Sequence, residues 1–186
     1  IKEINTGYDT RFWNYDQSEE KTGVLTAALF SDKRVINIKG LNIFNQLATF
    51  LPNVNFTIVG ESGIRISEFI NLEPNIKVMG VQTRSEMKEL YQKHKFYFQG
   101  SRLEGLPNSL CEAMLCGCIP IGSRVFGIPD AIGTTGVLFD TEKDIEQIVE
   151  FINSDLGATD LKKARNRIVR KYDISKRTEK IRQNIF

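Results

Sequence analysis

Residues 96–114 read FYFQGSRLEGLPNSLCEAM and pass from an apolar run, through a loop with glycines and charges, into a segment of helical period. The short apolar run at 96–98 predicts a buried strand. Pro107 suits the first turn of a helix, where its missing N–H would have no intrahelical partner, and Asn108 and Ser109 are able to cap that turn. The stretch therefore predicts a strand, a loop and a helix that begins near residue 107.

The same alternation extends along the chain from Gly23 onward and is typical of βαβ units with a parallel sheet. Strands are predicted near residues 24–30, 55–59, 76–79, 96–98, 119–121 and 136–139. Helices are predicted near residues 40–51, 63–70, 84–94, 107–117, 142–153, 158–171 and 174–185. In an open sheet of this kind, ligands bind beyond the carboxyl ends of the strands, so the loops that leave each strand are the candidate binding regions.

Length and composition indicate one globular domain. The chain has 186 residues, of which 41% are hydrophobic and 26% charged, values that argue against disordered, collagen-like and coiled-coil proteins. It begins at Ile1 with neither a signal-like stretch nor an initiator Met, and we interpret it as an excised fragment. The cysteines Cys111, Cys116 and Cys118 have no histidine nearby, so we expect buried reduced thiols, no metal site and a cytoplasmic location.

Positive charge is concentrated at the C-terminus. Residues 161–186 carry ten Lys or Arg against two Asp or Glu, a net charge of +8, which leaves −6 for the rest of the chain. One interpretation is the solvated face of terminal helices, and the other is a surface that attracts an anionic membrane. Few aromatic residues are interleaved with these charges, which argues against a nucleic-acid partner.

Two carboxylates flank the predicted start of the helix, Glu104 in the loop and Glu112 on the first helical turns. The N–H groups of a helix start offer a site for phosphate. A carboxylate repels phosphate, so these glutamates suit hydroxyl donors such as the diols of sugars. Arg34 and Lys39 follow the first strand and can bind a diphosphate. Together these residue types match a nucleotide sugar, with hexose, diphosphate and ribose in order.

At these residues the chain resembles the retaining GT-B glycosyltransferases of glycosyltransferase family 4. Residues 104–114 are similar to the E-x7-E signature of that family, and residues 116–121 are similar to the strand that follows it. Residues 4–12 resemble the linker that enters the domain, and Lys39-Gly40 resembles the phosphate-binding Lys-Gly pair. Residues 56–63, which end in Gly63, resemble the second strand of the family and the glycine loop that follows it. Residues 78–81 resemble the segment that borders the nucleotide base, and residues 127–130 resemble the start of a later helix.

The resemblance implies a role for each matching residue. Glu104 would contact the donor hexose as the catalytic residue, and Glu112 would hold the ribose hydroxyls. Arg34 and Lys39 would bind the diphosphate, although Lys33 stands where the family has glycine and is the alternative to Arg34. The remaining donor-binding positions supply main-chain groups or border the base: Gly63, Val81, Gly105, Leu106, Asn108 and Ser109. No metal and no cofactor are expected, because the nucleotide sugar is itself a substrate.

The sequence thus predicts a Rossmann-like parallel sheet with helices on both faces, the C-terminal half of a GT-B fold. Residues 1–20 are predicted to be an interdomain linker arm, and residues 21–186 a nucleotide-sugar-binding domain with C-terminal helices. The N-terminal acceptor domain would be missing, so the fragment would bind the donor without transferring it. Alternatives are a domain of a GT-B nucleotide-sugar epimerase and a non-catalytic nucleotide-binding module. A dinucleotide-binding oxidoreductase is disfavoured, since residues 31–34 (SDKR) replace the G-x-G-x-x-G that should follow the first strand.

Overall fold

The computed structural model describes residues 6–18 and 20–185 and contains one parallel sheet. Its strands are β1 (Thr22–Phe30), β2 (Phe56–Glu61), β3 (Ile76–Gly80), β4 (His94–Gln99), β5 (Ile119–Ser123) and β6 (Val137–Phe139). They lie in the order β3-β2-β1-β4-β5-β6, and every neighbouring pair is parallel. All six predicted strands are confirmed, and the α/β prediction with them.

The helices of the described residues alternate with these strands. They are α1 (Lys33–Ile38), α2 (Leu41–Phe50), α3 (Arg84–Lys93), α4 (Asn108–Leu115), α5 (Ile128–Ile132), α6 (Ile145–Asn153), α7 (Ala158–Tyr172) and α8 (Ile174–Ile185). Short 3₁₀ turns occupy Ile66–Glu68 and Glu142–Asp144. No helix in the described part of the chain is long and apolar enough to cross a membrane.

Two predictions of secondary structure are wrong. The sequence predicts no helix between the strand at 24–30 and the helix at 40–51, but this segment contains α1, whose first turn is capped by the Asp32 side chain accepting from the Arg34 N–H. The helix predicted at 63–70 is only a 3₁₀ turn. Gly63 adopts a φ of 76°, outside the range of a right-handed helix, so no helix begins at the predicted position.

Hydrophobic cores lie on both faces of the sheet. In β4, Phe96 and Phe98 belong to a core that α2 and α6 cover, whereas Tyr97 belongs to a second core that α4 and α7 cover. This alternation follows from the strand period of two, and it makes a buried parallel strand apolar at every position. The predicted placement of helices on both faces is therefore confirmed.

The segment before β1 packs against the domain. Tyr8 and Trp13 are buried in the core beneath α7. Arg165 of α7 donates to the carbonyl oxygens of Thr10, Trp13 and Leu115, and so fixes the path of the segment. Residues 1–5 and 19 of the predicted arm lie outside the described residues. That the arm joins two domains remains a prediction.

The three thiols are buried and free, as the sequence predicted. Burial raises the pKa of the Cys111 and Cys116 thiols to about 12 and also raises the pKa of Cys118. The Cys118 thiol donates to the carbonyl of Tyr91 at 3.1 Å. These groups therefore pack as small hydrophobic side chains in neutral form.

Candidate functional site

A cleft of about 570 Å³ opens at the carboxyl ends of β1, β2 and β4. The strand order reverses between β1 and β4, and in open α/β sheets ligands bind where the chain diverges in this way. Its lining combines apolar surface with a few polar groups: Ala27, Ala28, Leu29, Val35, Ile38, Lys39, Val59, Gly60, Val81, Gln82, Met87, Tyr91, Glu104, Pro107, Asn108, Ser109 and Glu112. Such a mixture is typical of pockets for organic ligands.

Tight contacts hold the loops after β1 and β4 together at one wall of the cleft. Gly40, between α1 and α2, has a φ of 71°, and a Cβ there would lie 2.3 Å from the carbonyl oxygen of Gly100. Arg102 donates its N–H to the Ile38 carbonyl at 2.8 Å. Only glycine at residue 40 combines this backbone conformation with so close an approach. The loops after β1 and β4 are therefore held in a fixed position relative to each other.

Lys39 and Glu104 face each other across this junction. The Lys39 Nζ lies 2.5 Å from Glu104 Oε2, and the two side chains are 25% and 23% exposed. Behind Glu104 lies a buried polar chain, in which Gln99 Nε2 donates to Ser101 Oγ at 2.7 Å and Ser101 Oγ donates to Glu104 Oε2 at 3.4 Å. The carboxylate is thus held by a cation on one side and a hydroxyl on the other. The sequence prediction missed both Ser101 and this ion pair.

Glu112 has a different environment on the second turn of α4. Its carboxylate has no hydrogen-bond or ion-pair partner among the described residues. Burial raises its pKa to about 7, and the positive charge of Arg84 offsets this only in part. A half-buried carboxylate without a partner is unfavourable in the ionised form, and it has hydrogen-bonding capacity available for a ligand.

The start of α4 lies between the two glutamates. Pro107 is its N-cap, and no side chain caps the first turn, so the predicted capping by Asn108 and Ser109 is wrong. Both residues instead lie within that turn and line the cleft. The first N–H groups of a helix have no intrahelical partner, and here no side-chain cap accepts from them. The helix start therefore offers donors to an anion in the cleft.

The structure brings some of the predicted site residues together and leaves others apart. Those that line the cleft are Lys39, Val81, Glu104, Asn108, Ser109 and Glu112. Gly105 and Leu106 lie in the loop between Glu104 and α4 but outside the lining, and the Gly105 carbonyl accepts from the Gly127 N–H. Gly63 lines a separate depression beside the 3₁₀ turn at Ile66–Glu68.

Neither candidate cation that precedes Lys39 lines the cleft. Arg34 pairs with Asp32 at 3.0 Å, and its side chain is 79% exposed. Lys33 is also exposed. The choice between them as a phosphate ligand remains a prediction. Among residues 6–18 and 20–185, no group of three or more His, Cys, Asp or Glu side chains is placed to hold a metal ion.

Sequence comparison identifies the family. The profile described as "Glycosyl transferases group 1" matches residues 18–172. One of the subunits of phosphatidylinositol N-acetylglucosaminyltransferase from Arabidopsis thaliana is 23% identical over 191 residues, which cover 95% of this chain and 42% of that protein.

Solved structures share the fold at lower identity. Sucrose-phosphate synthase from Thermosynechococcus elongatus gives a TM-score of 0.80 at 16% identity, over 97% of this chain and 50% of that one. Anabaena HepE in complex with UDP-glucose gives a TM-score of 0.78 at 16% identity, over 98% of this chain and 56% of that one. The chain thus spans about half the length of the proteins that it matches. Because the profile covers most of its residues, the chain belongs to the glycosyl transferases group 1 family.

Proposed function

We propose that this chain binds a nucleoside diphosphate sugar in the cleft, as the donor domain of a retaining glycosyltransferase. One observation carries the proposal: a single cleft gathers Lys39, the uncapped start of α4 and the two glutamates on either side of that start. Family membership and the fold shared with HepE, which was crystallised with UDP-glucose, support it. Synthesis of a polysaccharide or glycolipid is the process that we expect the transferase to serve.

The geometry suggests a role for each group. Lys39 and the N–H groups at the start of α4 would bind the diphosphate, because both present positive charge to the same cleft. Glu112 would accept hydrogen bonds from the ribose hydroxyls, which would supply the partners that its carboxylate lacks. Glu104 would accept from hydroxyls of the hexose. Groups that hold the diphosphate also stabilise the charge that grows on it as the sugar departs.

Calorimetric titration tests this proposal directly. The protein is titrated with UDP, GDP, ADP and their sugar conjugates, in parallel with Glu112→Ala and a control variant, Glu89→Ala, which removes an exposed carboxylate from neighbouring α3. We expect selective binding of one nucleotide, weakened in Glu112→Ala and unchanged in Glu89→Ala. A folded protein that binds none of the nucleotides contradicts the proposal.

The whole transferase would need a second domain for its acceptor. The chain covers between 42% and 56% of the length of the proteins compared above, and the arm before β1 would lead to that domain. We therefore expect donor binding without transfer from the chain alone. Addition of the acceptor domain in the same polypeptide should restore transfer.

An anionic membrane surface is a candidate partner for the C-terminal helices. Part of the basic charge has a structural role, since Arg165 holds the arm, and Arg167 and Lys171 donate to α5. The cations of α8 lie on its exposed surface: Lys176, Arg177, Lys180 and Arg182. Sedimentation with vesicles of phosphatidylcholine, with and without about one-third phosphatidylglycerol, would test the idea. Equal sedimentation with both vesicle types would count against it.

A further inference from the structure

Tyr8, in the segment before β1, reaches the start of α4 from outside the cleft. Its side chain is 5% exposed, and its hydroxyl donates a hydrogen bond to Asn108 Oδ1 at 2.9 Å. Asn108 is the first residue of α4 and lines the cleft. The two residues are 100 positions apart in the chain. This hydrogen bond therefore joins the arm directly to the helix start that borders the cleft.

The position of Tyr8 is fixed independently of Asn108. Its N–H donates to the Tyr172 carbonyl at 2.8 Å, and its carbonyl accepts from the Ile174 N–H at 3.0 Å, where α7 gives way to α8. Its ring meets the ring of Tyr172 edge-on, with the centroids 6.4 Å apart. Burial raises the pKa of Tyr8, so its hydroxyl stays protonated and remains a donor. The arm thus presents a fixed hydroxyl to α4.

The direction of this hydrogen bond sets the orientation of the Asn108 carboxamide. A carboxamide has an oxygen that accepts and an NH₂ group that donates. Oδ1 accepts from Tyr8, no described residue accepts from the NH₂ group, and Asn108 lines the cleft, so the NH₂ group is available to a ligand there. The reversed carboxamide would place its oxygen there. An anion in the cleft is attracted by the NH₂ group and repelled by the oxygen, so the orientation in which Tyr8 donates to Oδ1 is the one that favours an anion.

We propose that Tyr8 is a positioning residue for the donor diphosphate and that it acts by directing the Asn108 NH₂ group toward phosphate oxygens. The inference rests on the proposed function, because it assumes that a nucleoside diphosphate occupies the cleft. It adds a side-chain donor from Asn108 to the main-chain donors at the start of α4. It also couples the arm to the donor site, since a displacement of Tyr8 releases the carboxamide.

The test compares isosteric and truncating variants by calorimetry with the nucleoside diphosphate that the wild-type protein binds best. Tyr8→Phe keeps the ring and removes only the hydroxyl, and Asn108→Ala removes the carboxamide. Each change should weaken binding about three- to tenfold, the range expected for one hydrogen bond. The double variant should bind no more weakly than Asn108→Ala, because the two residues act through one interaction. Tyr172→Phe is the matched control, since it removes a tyrosine hydroxyl that donates to Asp130.

Asn108→Asp supplies a second and independent test. It keeps an oxygen for the Tyr8 hydroxyl but replaces the NH₂ group by a carboxylate oxygen, so affinity should fall below that of Asn108→Ala. A purely structural role for Tyr8 predicts a lower unfolding midpoint for Tyr8→Phe with unchanged affinity. That result, or additive losses in the double variant, overturns the inference while the proposed function stands. Wild-type protein that binds no nucleotide overturns both.

Discussion

Replacement of Glu104 by Gln should increase the affinity of the protein for a free nucleoside diphosphate, although Glu104 is a predicted site residue. In the unliganded cleft, Glu104 and Lys39 lie 2.5 Å apart, and a diphosphate must compete with the carboxylate for the same cation. Glutamine has nearly the same shape but no charge. The variant therefore removes an internal competitor and also removes a negative charge that repels the phosphates.

The size of the effect follows from the partial burial of the pair. Both side chains are about one-quarter exposed. The energy of this ion pair should therefore lie between that of exposed pairs, which contribute about 0–1 kcal/mol, and that of buried pairs, which cost about 3–5 kcal/mol to break. We expect Lys39 to gain about 1–2 kcal/mol of binding free energy for phosphate, which corresponds to affinity that is roughly five- to thirtyfold higher. The gain should shrink in high salt, because the partly exposed charges are screened.

The assay is calorimetric titration of wild-type and variant proteins with the nucleoside diphosphate and with its sugar conjugate. Glu104→Gln should bind the diphosphate more tightly than wild type does. Its affinity for the sugar conjugate should increase less, since the variant loses a charged acceptor for the hexose hydroxyls. Glu142→Gln is the matched control, because it breaks the exposed pair with Arg102 at 3.5 Å. Affinity for the diphosphate that is unchanged or lower in Glu104→Gln would refute the competition between Glu104 and phosphate.

Three further predictions concern stability, each measured by urea unfolding. Burial raises the pKa of Glu112 to about 7. Below the pKa that Glu112 has in the unfolded chain, its burial costs the folded state nothing, and the free energy of unfolding declines as pH rises from there through 7. Glu112→Gln should therefore be more stable than wild type at pH 8 by about 1–2 kcal/mol, allowing for partial exposure, and this advantage should vanish near pH 4. Arg165→Met should cost about 2–4 kcal/mol, because three carbonyl oxygens lose a charged donor, whereas exposed Arg177→Met should change little. Gly60→Ala should cost at least about 2 kcal/mol, since φ is 110° and a Cβ would lie 1.9 Å from a carbonyl oxygen. Gly157→Ala, with nothing within 4 Å, should cost less than about 1 kcal/mol, because its only penalty is that alanine is a poorer N-cap than glycine for α7.

The strands were predictable because both faces of this sheet are covered. Residues 96–98 are apolar in succession, since Phe96 and Phe98 enter one core and Tyr97 the other. Helix α1 was not predicted because it has only six residues, too few to show a clear helical period. Its capping residue, Asp32, was visible in the sequence and could have indicated the helix start.

The site was predictable to the extent that it depends on topology. Lys39 and Glu104 follow adjacent strands, β1 and β4, whose carboxyl ends meet at one edge of the sheet. The choice of partner by each side chain is a different matter. Arg34 pairs with Asp32, two residues away, and Tyr8 reaches Asn108 across 100 positions. These contacts depend on rotamers and on the packing of the arm, which the local sequence pattern does not specify.

The negative charges of the two glutamates in the cleft, which would repel an anionic ligand, are reduced in different ways. Within the described lining of the cleft, Lys39 is the one cation against two carboxylates. The charge of Glu104 is neutralised by Lys39, and that of Glu112 is partly neutralised by a proton, because burial raises its pKa to about 7. At neutral pH the empty cleft therefore carries little net charge. If a nucleotide sugar binds as proposed, hydroxyl groups stabilise both carboxylates in ionised form, Lys39 becomes available to the diphosphate, and the pKa of Glu112 falls. Binding should then release a fraction of a proton near pH 7, which titrations in buffers of different ionisation enthalpy would detect, and Glu112→Gln should abolish that release.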